Sequence, residues 1–185
     1  MGGACAAFCP QASPPSGFRW RVIDIPVIGD EKRELNAAAL RDWLRAIDPQ
    51  HAFLELVTAM PSIPDAQGKR RGMGAAGAFR FGGIFYALKA VLACCDVPYT
   101  LVTPQTWKKA YGLKGSGKEQ DRLRAIQLFP DAASLLSRKK DHNRSNAMLI
   151  AAHGAAKLGY DGEASNRSFG PSVRGLDSPS FKSSH

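Results

Sequence analysis

Two acidic residues, Glu55 and Asp141, sit where their surroundings could do chemistry. Asp141 follows three consecutive cations, Arg138, Lys139 and Lys140, and leads with His142 into an apolar run over residues 147–156. A carboxylate at the mouth of a buried helix can ligate a hard divalent cation through oxygen. The flanking cations can neutralise the phosphates of a polyanion. The plainer reading is a charged N-terminus on a core helix, with Asp141 favoured by the positive end of the helix dipole. Glu55 interrupts the apolar run AFLELV at residues 52–57, which reads as a buried strand. An unpaired carboxylate is expensive there, so it is paired, metal-bound or turned into a cleft.

The elements that would position these acids follow from periodicity. Residues 2–9 and the alternating RWRVIDI at 19–25 read as a strand hairpin, stopped by Pro26. Asn36 is an N-cap for AAALRDWLRAI, where Leu40, Trp43, Leu44 and Ile47 fall at helical spacing. Residues 61–83 read as a long glycine-rich loop, residues 84–95, apolar on most faces, as a buried helix, and residues 99–102 as a short strand. Thr103-Pro104 starts a short helix. Residues 118–129 form an amphipathic helix, with Leu123, Ile126 and Leu128 inward and Arg122 and Arg124 outward, ended by Pro130. A hairpin followed by alternating helices and strands implies an α/β fold, a mixed sheet with helices on its faces. The two acids would have to meet over that sheet.

A length of 185 residues suits one domain, here residues 1–158 with a disordered tail at 159–185, where Ser, Gly, Pro and Asn replace apolar anchors. No apolar run approaches the ~20 residues of a membrane span, and the N-terminus lacks the basic region of a signal peptide. We therefore expect a cytoplasmic or nucleoid-associated protein with no membrane partner. Cys5, Cys9, Cys94 and Cys95 lack zinc-site spacing and read as buried free thiols. The net charge of +9 is concentrated. Residues 69–144 hold 15 basic and 5 acidic side chains, net +10, against 6 and 8, net −2, before them. That points to a polyanion surface rather than to general solubility. Within the glycine-rich stretch, Lys69, Arg70, Arg71 and Arg80 accompany Phe79 and Phe81. Cations and aromatics on a flexible backbone suit phosphates and unstacked bases. A mobile loop whose phenylalanines dock into the core is the plainer alternative.

Six segments, in order, carry a resemblance to a known family: VIDIP at 22–26, AFLELVTAMP at 52–61, the loop to Gly83, VTPQTWKKAYGL at 102–113, KEQDRLRAIQLFP at 118–130 and RKKDHNRSNAMLIAAHG at 138–154. Together they resemble the RuvC-like Holliday-junction resolvases of phages, bacteria and plant organelles, over about residues 2–158. The resemblance implies a ribonuclease-H-like fold, a homodimer and a Mg²⁺-dependent endonuclease cutting four-way DNA junctions. Four side chains, mostly carboxylates, would hold two Mg²⁺ ions. By that resemblance Glu55 is the mid-strand acid and Asp141 the acid before the last helix. Lys118 is similar to a basic residue near the scissile phosphate, and Phe79 or Phe81 to a wedge at the junction centre. Lys108, Lys109, Arg138, Lys139 and Lys140 would add phosphate contacts.

Two departures qualify the carry-over. The family's first, central strand carries a metal-binding Asp in Gly-Ile-Asp-Pro-Gly, and this sequence begins inside what should follow it, so that strand is expected to be missing. Asp24, in the hairpin, and Asp30, in a loop, do not replace that Asp. The family's helical acid five residues after Asp141 is here Asn146, which offers a neutral oxygen and no charge. His142, four residues before Asn146 on the same helical face, could ligate or shuttle a proton, although a surface His is the commoner case. The alternatives are a catalytically impaired junction-binding paralogue or truncated gene product, and a ribonuclease-H-like nuclease acting on RNA or hybrid.

Overall fold

Period-2 alternation and two caps account for the main elements. A computed structural model describes residues 3–9, 19–29, 34–56, 63–64, 70–71 and 74–159. Strands β1 (Ala4–Cys9) and β2 (Arg19–Asp24) pair antiparallel, with Ala4 opposite Asp24 and Ala6 opposite Val22. Two short strands, β3 (Val27–Ile28) and β4 (Glu34–Leu35), lead into helix α1 (Ala37–Ile47). There the Asn36 side chain accepts the Ala39 N–H at 3.0 Å, satisfying one of the helix's orphan donors. Strand β5 (Ala52–Glu55) runs parallel to β8 (Tyr99–Val102). Between them lie the small ladder of β6 (Ile63–Pro64) with β7 (Arg70–Arg71) and helix α2 (Ala75–Cys94). Helix α3 (Pro104–Ala110) is capped by Thr103, with Pro104 in its first turn. Helix α4 (Lys118–Leu128), 3-10 turns over Pro130–Leu136 and Lys139–Asp141, and helix α5 (His142–Lys157) complete the order.

Successive strand residues go to different cores. Ala6, Val22 and Phe53 pack into a cluster with Trp107, Leu136, Met148 and Leu149, on the side of α3 to α5. Cys5 and Ala52, their immediate neighbours, pack instead with Leu40, Leu44, Val91 and Leu92 of α1 and α2. Adjacent side chains of a strand point to opposite faces, so β1 and β5 belong to one layer with helices on both sides. The expected single sheet is not formed: among the described residues the strands make four separate two-stranded ladders. Helix α5 packs against β1, β2 and β5 and spans the interruption. At Gly154 it comes so close to β5 that a Cβ would run into the Phe53 ring.

Several sequence expectations are corrected. The expected 61–83 loop holds the β6–β7 ladder, and its last residues are the first turns of α2, which begins at Ala75. The alanines there carry helix propensity, and the buried Phe85, Val91 and Leu92 further along the same helix anchor it, against the cost of Gly77, Gly82 and Gly83. Nor is α2 buried on most faces: only Phe85, Val91 and Leu92 are buried, while Phe79 is 82% exposed. With Arg80 and Lys89 as its only charges, α2 is by length and composition alone long enough to cross a membrane, against the reading that no apolar run approaches that length. In the fold it packs on α1 and β4, and the Lys89 ammonium lies over the Phe85, Tyr86 and Tyr99 rings. On α4, Ile126 and Leu128 pack against the core as expected and Asp121 and Ala125 are the buried residues, whereas Leu123 is exposed. Arg122 is half-buried because its guanidinium reaches the Leu136 carbonyl at 2.7 Å. Cys94 is exposed; Cys5 is enclosed, and burial pushes its thiol up to about 12. The expected tail lies, past Gly159, outside the described residues.

Candidate functional site

Glu55 and Asp141, 86 positions apart, line one cavity of about 1050 Å³ between β1 and β5. Asn146, His142, Arg138 and Lys140 line it too. Each arrives by a local rule. Glu55 ends β5, Asp141 closes the 3-10 turn before α5, and His142 and Asn146 lie one helical turn apart on α5. Trp107, fully buried on α3, donates its indole N–H to Glu55 Oε1 at 2.9 Å. The costly strand acid is thus paired.

Asp141 is 2% exposed and fully engaged. Its carboxylate accepts the Arg138 backbone N–H at 2.9 Å and guanidinium N–H groups at 3.0 and 2.7 Å. The Arg138 guanidinium holds the Asp141 carboxyl below the usual carboxylate range, outweighing the opposing effect of burial. Asp24, also on the cavity wall, makes a two-pronged pair with Arg144 at 2.8 and 2.9 Å, which lowers its pKa in the same way. Arg144 also stands 4.0 Å from Asp141. The rim is therefore a chain of alternating charges, Asp24, Arg144, Asp141 and Arg138. The Asn146 Oδ1 is buried and has no hydrogen-bond partner.

These residues do not fit a two-ion Mg²⁺ centre. Among the described residues no three of His, Cys, Asp and Glu are grouped as metal ligands. Both Asp141 oxygens and both Asp24 oxygens are bonded to guanidinium groups, and one Glu55 oxygen to an indole. A pair of divalent ions asks for several free anionic oxygens, and among the described residues only the second Glu55 oxygen and the neutral Asn146 oxygen have no bond of this kind.

The remaining expected contacts scatter. Arg138, Lys139 and Lys140 are exposed beside the cavity, and Lys109 is exposed on α3. Lys108 instead reaches buried Asp121 at 2.8 Å, where Ser116 also donates, and ties α3 to α4. Lys118 is exposed at the start of α4 and does not line the cavity. Phe81 lines the cavity, whereas Phe79 and Arg80 are exposed on α2. Arg70 and Arg71 lie in β7; their side chains and Lys69 fall outside the described residues. Sequence reading missed Trp107 as the partner of Glu55, and Arg144 as the bridge between Asp24 and Asp141. The spacing of Arg144 three residues after Asp141 is the one signal that was there to use.

No protein-family model matches the chain, and no curated protein does. The chain is similar to the Thermus thermophilus RuvC structure. The two are 15% identical with a TM-score of 0.47, over 84% of this chain and 96% of that one.

Proposed function

We propose that this chain is a DNA-binding protein of the RuvC-like, ribonuclease-H-like class that recognises branched DNA, four-way junctions above all. One observation carries the reading: acids and cations from separate elements, Glu55 on β5 and Arg138, Lys140 and Asp141 before α5, converge on one cavity. The sequence segments around those residues are the ones that resemble the resolvases, and the excess positive charge lies between residues 69 and 144. A homodimer would present two such cavities to the two-fold of a junction. With Asp141 and Asp24 neutralised by arginines, the 185-residue chain is a junction binder rather than a nuclease.

The second reading is a Mg²⁺-dependent endonuclease, favoured by Glu55 and Asp141 lining the same cavity. One experiment separates the two. Four-way junction, flap, duplex and RNA–DNA hybrid are titrated with the chain, with and without Mg²⁺, and the products are resolved on a denaturing gel. The binder reading expects junction affinity about tenfold or more above duplex of equal length, a difference of about 1.4 kcal/mol, and no strand cleavage. Equal affinity for junction and duplex sinks the junction assignment. Mg²⁺-dependent nicks that vanish in Glu55→Gln and Asp141→Asn, with affinity kept within a few-fold, replace the binder by the enzyme.

A further inference from the structure

A second concave surface lies apart from the cavity. A groove of about 530 Å³ runs between residues 111–116 and α4, and it shares no residue with the cavity wall. Gln120, Leu123, Arg124 and Gln127 form its helical side, spaced as one face of α4. Tyr111 and Lys114 stand on the loop side, and no acid lines the groove. The loop turns through two glycines in the left-handed region, Gly112 at φ +70° and Gly115 at φ +78°, and nothing lies within 4 Å of where either would carry a Cβ.

Arg124 lacks a counter-charge there. Three arginines are half-buried among the described residues, and two of them, Arg122 and Arg144, bond to the carboxylates of Glu119 and Asp24. Arg124 has no such bond. Its Nε is covered and has no acceptor, and its Nη1 reaches only Gln127 Oε1 at 3.4 Å, beyond the usual range. Exposed Lys114 adds a second cation to the same groove. A guanidinium with unmet donors on a wall without carboxylates suits an anion from outside, and phosphate matches its fork. Residues 112–118 also have the GxxxxGK spacing of a phosphate-binding loop. Two features exclude that use: Glu119 stands where Ser or Thr would hold a metal, and Gln120 fills the helix N-terminus by accepting the Gly117 N–H at 3.1 Å. The anion is a single phosphate held by side chains, not a triphosphate wrapped by the loop.

We infer that this groove is a phosphate site separate from the cavity, with Arg124 and Lys114 as its cations. The phosphate belongs to a nucleic-acid backbone or to a small phosphorylated molecule. The inference does not rest on the junction reading, because small molecules alone test it.

The test follows the Arg124 side-chain N–H and the Gly112 and Gly115 amides by NMR in the 185-residue chain. Inorganic phosphate, deoxyadenosine monophosphate and a short DNA duplex are titrated in turn at constant ionic strength, with chloride as the control. Inorganic phosphate should shift these signals with Kd on the order of 1 mM. Arg124→Gln should weaken that binding roughly tenfold or more, as loss of a charge-assisted hydrogen bond does, and Lys114→Gln by a few-fold. If the duplex moves the same signals and both substitutions weaken it in step, the backbone is the source. If the monophosphate moves them and the duplex does not, a small molecule is. Shifts that chloride reproduces, or that both substitutions leave unchanged, overturn the inference, and so does the absence of any shift. Should Arg124→Gln fail to fold, unchanged phosphate affinity in Lys114→Gln, at an exposed position, overturns it alone.

Discussion

Glu55 and Asp141 show how a carboxylate inside the fold is matched with donors. Each has a donor of matching geometry, the Trp107 indole for one and the Arg138 guanidinium for the other. Trp107→Phe keeps most of the apolar volume but removes a hydrogen bond to a charged acceptor. It should cost about 1.5–3 kcal/mol in denaturant unfolding, and a loss well below that would mean solvent replaces the indole. Asp141 makes a prediction in pH. Its folded pKa lies below the unfolded value, so its contribution to stability is present above about pH 4 and is lost as pH falls through the folded pKa. Asp24 acts in the same direction. Asp141→Asn should therefore be less stable than the parent at pH 7, with the gap closing toward pH 3. A constant gap across a Tm series would show that the charge of Asp141 is not what Arg138 stabilises.

Helix α5 holds the layer together, because it packs on β1, β2 and β5. Its closeness depends on Gly154, over which the Phe53 ring sits. Two effects oppose each other in Gly154→Ala. Helix propensity favours alanine by up to about 1 kcal/mol, whereas overpacking a tight contact costs about 1–3 kcal/mol. The clash is with a ring held in the core, so overpacking should win. Chemical denaturation should show a net loss; a gain in stability would mean Phe53 swings aside at little cost and the approach of α5 to β5 is loose.

At the scale of the whole molecule, charge is segregated along the chain: net +10 over residues 69–144 and net −2 before them. The cations do not all serve one surface. Lys108 is spent on buried Asp121 and Arg144 on Asp24, which leaves fewer for a polyanion than composition suggests. Neutralising Lys69, Arg70 and Arg71 together should flatten the log–log salt dependence of junction binding by roughly 0.9 per phosphate contact removed. Fluorescence titrations between 50 and 200 mM salt, about the range over which such contacts are felt, measure it. An unchanged slope would make the triplet a solvated face.

The hairpin, the α1 and α3 starts, the strand around Glu55 and the helix after Asp141 were legible in the residues. Each is set by a local rule: alternation over RWRVID, Asn36 and Thr103-Pro104 as caps, an apolar run ending at an acid. That Glu55 and Asp141 should meet over the sheet was an expectation of a layered α/β fold; the structure places both on the wall of one large cavity. The partners of those acids were not. Whether a carboxylate faces a metal or a guanidinium depends on which side chains tertiary packing brings within about 3 Å, where charge-assisted hydrogen bonds form, and no spacing encodes Trp107 against Glu55. The start of α2 at Ala75 was misread for a related reason: the glycines lower local helix propensity, while packing of Val91 and Leu92 with Leu40 and Leu44 of α1 acts from outside the window. The cavity between β1 and β5 belongs to the tertiary structure as well, since it is set by which elements pack around it.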